Sequence, residues 1–138
     1  MKTLDLVSLP GRWAVCRLPA TADAPEWARG PVVSLTWTAD ELSIVCPEDL
    51  VPDDVRAERG WRAIRVRGAI DFSETGIVAA LTVPLAEAKI GVFVLSTFDT
   101  DYLFVASERF EPAVKALRGA GHRVTAEGRQ LRLGRVCL

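Results

Sequence analysis

Apolar and polar residues alternate along the first third of the chain, and this alternation indicates short β-strands. The segment Val33–Thr38 places apolar residues at every second position with hydroxyl residues between them, the period of a half-buried strand. Trp13–Leu18 and Leu42–Cys46 predict two further strands, and Ala39–Glu41 predicts the hairpin turn that leads into the latter. At most a short helix is expected in Ala24–Arg29.

The pattern changes to a helical period in the second half of the chain. Apolar residues recur every three or four positions in Ile77–Ala88, with Pro84 inside the segment, and again in Phe110–Leu117. Four strands are predicted around these helices: Ala63–Arg67, Ile90–Leu95, Tyr102–Val105 and Arg123–Thr125. The Ile90–Leu95 segment is almost continuously apolar, which is typical of a central strand covered by helices.

Residues 63–125 therefore follow the order β-α-β-β-α-β. We predict an α+β, ferredoxin-like fold with both helices on one face of an antiparallel sheet. The N-terminal part, residues 1–60, is interpreted as a degenerate copy of this order that ends in a polar connector over Asp49–Gly60. The second unit is expected over residues 61–127. The tail, residues 128–138, alternates again and is interpreted as a strand that completes the N-terminal unit.

Composition places the chain among ordinary globular proteins, with 138 residues of which 49% are hydrophobic and 25% charged. The net charge of -1 argues against a nucleic-acid partner, because such proteins usually carry a basic excess. The sequence has no run of about 18 apolar residues that would predict a membrane span, and its N-terminus lacks the apolar region of a signal peptide. We therefore expect a cytoplasmic protein with reduced cysteines.

Sequence motifs of catalysis are absent. The chain contains no GxSxG, P-loop, HExxH or CxxC pattern, so no catalytic residue, metal site or cofactor is predicted, and we expect the protein not to be an enzyme. Asp99 and Asp101 form a lone DxD pair, which offers too few ligands for a metal site. His122, the single histidine, is interpreted as a structural residue near the end of a helix.

Several segments resemble a known family. Glu41–Glu48, Asp71–Ile77 and Ser96–Tyr102 are similar to the small two-ACT proteins related to CASTOR-type arginine sensors. The stretch Gly76–Val92 resembles the first helix and second strand of an ACT domain, a regulatory module of amino-acid metabolism that binds small molecules. Lys89 departs from the pattern, because many ACT sequences end this helix with glycine. A left-handed lysine there costs roughly 1 kcal/mol.

The resemblance implies two ACT units, a homodimer, and a non-catalytic sensor that binds a small molecule, here expected to be an amino acid, at an ACT–ACT interface. In the family the ligand lies between the loop that enters the first helix and the facing end of the second strand. Transferred to this sequence, the implied ligand-binding residues are Asp71, Phe72, Ser73, Thr75, Gly76, Ile77, Thr97, Phe98, Asp99, Thr100 and Asp101.

The chemistry of these residues suits a free amino acid. Its carboxylate needs N–H donors, which a helix N-terminus supplies, and Ser73 or Thr75 could cap that helix. Its ammonium group needs carboxylates, which Asp99 and Asp101 offer. The sequence therefore predicts an anion-binding and a cation-binding group that converge on one zwitterion.

Two alternatives stay open. The protein could be a structural or partner-binding protein with a vestigial ligand pocket and an unidentified protein partner. It could also be an enzyme, since the ferredoxin-like scaffold hosts many chemistries. The absence of a nucleophile–base pair or metal cluster from the sequence puts the enzyme last. Stabilisation by a small ligand distinguishes the sensor from the partner-binding protein.

Overall fold

A computed structural model describes residues 2–71 and 73–127. The described residues form eight strands and two α-helices: β1 (Asp5–Ser8), β2 (Trp13–Leu18), β3 (Ser34–Trp37), β4 (Leu42–Pro47), β5 (Ala57–Val66), α1 (Ile77–Glu87), β6 (Val92–Ser96), β7 (Asp101–Ala106), α2 (Phe110–Gly119) and β8 (Arg123–Ala126). The chain divides into two compact units. The helical unit contains the described residues up to Pro10 and from Arg62 onward, and the strand unit is Gly11–Trp61.

The helical unit has the element order that the sequence predicts. The second part of β5 is followed by α1, β6, β7, α2 and β8, which is the βαββαβ order. Its strands lie in the order β6-β7-β5-β1-β8. The strand β1 therefore lies between β5 and β8, antiparallel to β5 with Leu6 opposite Val66, and parallel to β8 with Leu6 opposite Val124.

Both helices bury their apolar faces in one core. Leu81 and Leu85 of α1 and Leu117 of α2 are fully buried in it, together with the sheet residues Ile64 and Leu103. Burying a side chain of this size contributes roughly 1.5–3 kcal/mol. The predicted apolar stripe of α1 is confirmed up to Leu85, whereas Ala88 is exposed.

The two helices end with the same hydrogen-bond motif. After α1, Ile90 N donates to Leu85 O at 2.9 Å and Lys89 N donates to Ala86 O at 3.0 Å, with Lys89 left-handed at φ 60°. After α2, His122 N and Gly121 N donate to the corresponding carbonyl groups, and Gly121 is left-handed at φ 99°. This pair of bonds is the Schellman motif, which places a left-handed residue just beyond the helix. The expectation that Lys89 takes the position of a helix-ending glycine is confirmed.

His122 is buried, with 3% of its surface exposed, and both ring nitrogens are hydrogen bonded. Leu4 N donates to Nδ1 at 3.0 Å, and Nε2 lies 2.7 Å from Ala80 O in α1. Because Nδ1 accepts a bond, the ring proton is on Nε2 and is donated to Ala80. The structure thus agrees with the interpretation of His122 as a structural residue.

The strand unit is an antiparallel sheet of β3, β4, β2 and the first part of β5. Its core contains Leu42 and Ile44 together with Cys16 and Cys46, which are buried and free, as the sequence predicts. Ala24–Arg29, where at most a short helix is expected, contains a turn and no helix.

Two local expectations need correction. The polar segment Asp49–Gly60 is a connector only in part, because β5 begins at Ala57 and pairs there with β2, Cys16 lying opposite Ala57. The apolar strand Val92–Ser96 is not central, since within residues 2–71 and 73–127 it pairs with β7 alone. Its residues Val92–Leu95 are only half-buried.

The strand β1 lies in the helical unit, although residues 1–60 are expected from the sequence to form the N-terminal unit. The predicted tail strand, residues 128–138, lies outside the described residues. Among the helices that the structure describes, neither is long and apolar enough to cross a membrane.

Candidate functional site

An open groove of about 320 Å³ lies in the helical unit where the loop before α1 meets the turn between β6 and β7. We call residues 68–76 the pre-helix loop and residues 97–100 the hairpin turn. Eight residues predicted from the sequence line the groove: Asp71, Gly76, Ile77, Thr97, Phe98, Asp99, Thr100 and Asp101. Two segments about 25 residues apart in sequence thus meet at one surface, as the βαββαβ order allows.

Backbone hydrogen bonds hold the pre-helix loop against the hairpin turn. Ile70 N donates to Asp99 O at 2.6 Å. The turn is closed by Thr97 N, which donates to Thr100 O at 2.8 Å, and the buried Thr100 hydroxyl donates to Val66 O of β5 at 2.8 Å. These bonds connect both walls of the groove to the sheet, so the groove has a defined shape.

The N-terminus of α1 forms one side of the groove. The first helical bond is donated by Ala80 N to Gly76 O at 2.9 Å, so the N–H groups of Ile77, Val78 and Ala79 have no acceptor within the helix. Among the described residues, no side chain caps this end, and its first turn contains no acidic residue. Gly76 is left-handed at φ 81°, and a Cβ placed on it would meet nothing within 4 Å. The backbone is therefore accessible to an anionic group.

Ser73 and Thr75 do not have the capping role expected of them. The residue that caps α1 is Gly76. Ser73 N donates to Asp71 Oδ1 at 3.0 Å, which closes a tight turn in the pre-helix loop, and neither Ser73 nor Thr75 lines the groove. The bonds from Ser73 hold the pKa of Asp71 below its ordinary value. The predicted residue Phe72 lies outside the described residues.

Carboxylates line the rest of the groove. Asp71, Glu74, Asp99 and Asp101 contribute to its walls, and no basic side chain does so among its described lining residues. The Ser96 hydroxyl donates to Asp101 Oδ1 at 2.6 Å, which orients that carboxylate, and the Lys2 ammonium pairs with Glu74. Among residues 2–71 and 73–127, no three side chains of the metal-binding types are grouped to hold an ion.

Sequence reasoning missed five lining residues: Ile70, Glu74, Val78, Ala79 and Ser96. Glu74 and Ser96 lie inside the segments that carried the resemblance, so their positions next to predicted residues were an available signal. Val78 and Ala79 follow from the first turn of α1 once Gly76 is known to be its cap. Phe98 is 80% exposed at the groove, more than is usual for a large apolar residue.

Comparison with family models places known domains on both parts of the chain. The model described as an ACT domain matches residues 56–119. A second model, described as an N-terminal domain, matches residues 11–54. The boundary between the two matches falls at the start of β5, close to the division between the strand unit and the helical unit.

Relatives and solved structures agree with these matches. The chain is 34% identical over 73 residues to the cytosolic arginine sensor for mTORC1 subunit 1 of Homo sapiens, matching 52% of this chain and 22% of that protein. The chain thus spans less than a third of this relative's length. Protein Atu0741 of Agrobacterium tumefaciens has 42% identity and a TM-score of 0.86, over 91% of this chain and 95% of that one.

A more distant structure shares the fold alone. Aspartate kinase of Clostridium acetobutylicum, described as an allosteric enzyme, has 14% identity and a TM-score of 0.59. The match covers 87% of this chain and 35% of that chain. The kinase therefore contains a region with the arrangement of strands and helices described above, joined to a much larger protein.

Proposed function

Because residues 56–119 match the ACT domain family, we propose that the chain is a non-catalytic regulatory protein that binds a free amino acid in the groove of the helical unit. The observation that carries this proposal is the meeting of opposite chemistries in one groove. The uncapped N–H groups of Ile77, Val78 and Ala79 suit a carboxylate, and the carboxylates of Asp99 and Asp101 suit an ammonium group.

The proposed ligand contacts are the eight residues predicted from the sequence that line the groove. The ligand carboxylate lies against the N–H groups after Gly76, where the missing side chain leaves room, and the ammonium lies against Asp99 and Asp101. Ser96 is added to the set, because it orients Asp101. Phe98 supplies an apolar surface that the ligand covers in part.

The groove is open on one side, and we propose that a second copy of the chain completes it. In such a homodimer the ligand lies at an ACT–ACT interface, and binding changes how the two copies contact each other. The relative named a cytosolic arginine sensor supports an amino acid as the ligand and the cytoplasm as the location. Buried free thiols at Cys16 and Cys46 suit the same reducing compartment.

A thermal-shift screen against the twenty amino acids at millimolar concentration tests the proposal. A ligand present at 100 times its Kd stabilises the folded state by about 2.7 kcal/mol, which for a chain of this size raises Tm by roughly 5–10 °C. Asp101→Ala should abolish the shift, and Asp101→Asn should show whether charge is required. Asp53→Asn, at an exposed position outside the groove, is the matched control.

A flat screen on folded protein would reject amino-acid binding. That result would favour the structural or partner-binding alternative, in which the groove is vestigial. A hit that Asp101→Ala leaves unchanged would keep a small ligand but reject this groove as its site.

A further inference from the structure

Glu74 is the groove carboxylate that already has a cation. Its partner is the ammonium of Lys2, which does not itself line the groove. Glu74 N donates to Asp71 O at 2.9 Å, so the carboxylate belongs to the turn that shapes the pre-helix loop. A contact made by the Glu74 carboxylate therefore affects the pre-helix loop, which is the groove wall that leads to α1.

Lys2 comes from a segment that is firmly attached to the sheet. Leu4 is held on both sides, because its N–H donates to His122 Nδ1 and its carbonyl accepts a bond from Arg123 N at 3.0 Å. The strand β1 begins directly after it and pairs with both β5 and β8. The backbone is thus fixed at Leu4, two residues from Lys2. This anchor keeps the side chain of Lys2 close to Glu74.

The ion pair between Lys2 and Glu74 matters because the groove is lined by negative charges. Four carboxylates line it, those of Asp71, Glu74, Asp99 and Asp101, and no basic side chain is among its described lining residues. Lys2 reaches this acidic groove from outside, with both partners of the ion pair still about half exposed. If a ligand carries a second positive group, that group competes for Glu74 with the ammonium group of Lys2.

We propose that Lys2 is a tethered cation that competes with the ligand for Glu74 and so lowers the preference of the groove for ligands with a cationic side chain. This inference rests on the proposed amino-acid site. It makes Lys2 a specificity-determining residue that touches the site through Glu74. Because exposed ion pairs are weak, the effect on affinity should be roughly two- to five-fold, and it should shrink in high salt.

The contact with Glu74 can be tested without any ligand. Lys2→Gln removes the charge, and hydrogen exchange at the amides of Ser73 and Glu74 reports on the pre-helix loop. Exchange there should become faster in Lys2→Gln and stay unchanged in Lys2→Arg. Lys115→Gln, an exposed position on α2, makes the same change in net charge outside the groove and is the control. Equal exchange in Lys2→Gln and the wild type would overturn the inference.

The competition is tested by calorimetric titration with L-arginine and L-citrulline, two side chains of similar shape that differ in charge. Lys2→Gln should bind arginine roughly two- to five-fold more tightly than the wild type does and should leave citrulline binding unchanged. The same change for both ligands, or for neither, would overturn the inference and leave the proposed function standing. If neither ligand binds any variant, the proposed function fails for this class, and the exchange experiment decides whether Lys2 holds Glu74.

Discussion

His122 supplies the hydrogen bond that Pro84 cannot give. In a regular helix the N–H of residue 84 would donate to the carbonyl of Ala80, but proline has no N–H. The His122 Nε2 lies 2.7 Å from Ala80 O and takes the place of that donor. Since Leu4 N donates to the other ring nitrogen, one buried imidazole connects α1 with the segment before β1. His122, which lies just beyond α2, thus supplies a hydrogen bond that is missing inside α1.

This relationship predicts a non-additive pair of substitutions. His122→Ala leaves the Ala80 carbonyl without this donor and should lower the free energy of unfolding by about 1–3 kcal/mol. Adding Pro84→Ala restores an N–H at position 84, so it should be more favourable in the His122→Ala background than in the wild type. Urea denaturation of the wild type, both single variants and the double variant measures the difference. Purely additive effects would contradict the assignment.

Lys89 predicts a gain in stability. It occupies the left-handed position of a Schellman motif that Gly121 occupies after α2. Lys89→Gly should raise the free energy of unfolding by about 0.5–1 kcal/mol, because glycine adopts this conformation without strain. Lys89→Ala keeps the strained backbone and should give no such gain. If alanine stabilises as much as glycine does, the cause is the lysine side chain and not its conformation. Thermal unfolding monitored by circular dichroism is sufficient.

The ion pair between Asp5 and Arg123 should make the stability of the fold depend on pH. Hydrogen bonds from Arg123, at 2.6 and 3.0 Å, hold the pKa of Asp5 below its ordinary value of 3.8, and the charge of Arg67 adds to this. A carboxylate with a lowered pKa in the folded state stabilises the fold above its unfolded pKa, and this contribution is lost as pH falls through the folded value. NMR titration should show Asp5 below 3.8 in the wild type. Arg123→Gln should raise that pKa, whereas Arg12→Gln, exposed in the strand unit, should not.

Gly30 predicts a large loss of stability in the strand unit. A Cβ at this position would lie 2.6 Å from Pro47 Cγ, and the backbone is at φ 132°. Gly30→Ala should therefore cost about 1–3 kcal/mol from overpacking in addition to backbone strain. Gly11→Ala is the matched control, because Gly11 also has a positive φ but an added Cβ would meet nothing within 4 Å. Equal losses in urea denaturation would show that backbone strain alone is responsible.

Elements with a strong local period were predictable from the sequence. The segment from Ile77 to Ala88 repeats at helical spacing and gives α1 to within one residue. The strand Asp5–Ser8 was missed because it has four residues, and its conformation depends on partners about 60 and 118 positions away. The error on Val92–Ser96 has a different cause. One face of this strand packs against the core of the helical unit, and on the other face Phe93 stacks on Phe104. Both faces therefore carry apolar residues, although the strand is not central in the sheet.

The candidate site was predictable as two segments and not as a set of contacts. The family pattern placed Asp71–Ile77 and the region around Asp99 together, and both line one groove. The cap of α1 was predicted wrongly, because serine and threonine are common caps and the sequence does not show that Asp71 binds Ser73 N. Lys2 carries no signal at all, since its partner Glu74 is 72 residues away.

The position of β1 between β5 and β8 also governs the order in which the nascent chain can fold. Asp5 and Arg123 pair across the sheet although 118 residues separate them. At about 5–20 residues per second, the ribosome needs roughly 6–24 s to make that stretch. During this time the edge of β1 that later pairs with β8 has no partner strand. The helical unit can therefore close its sheet only after β8 has been made, and pairing across so long a stretch of chain favours slow folding.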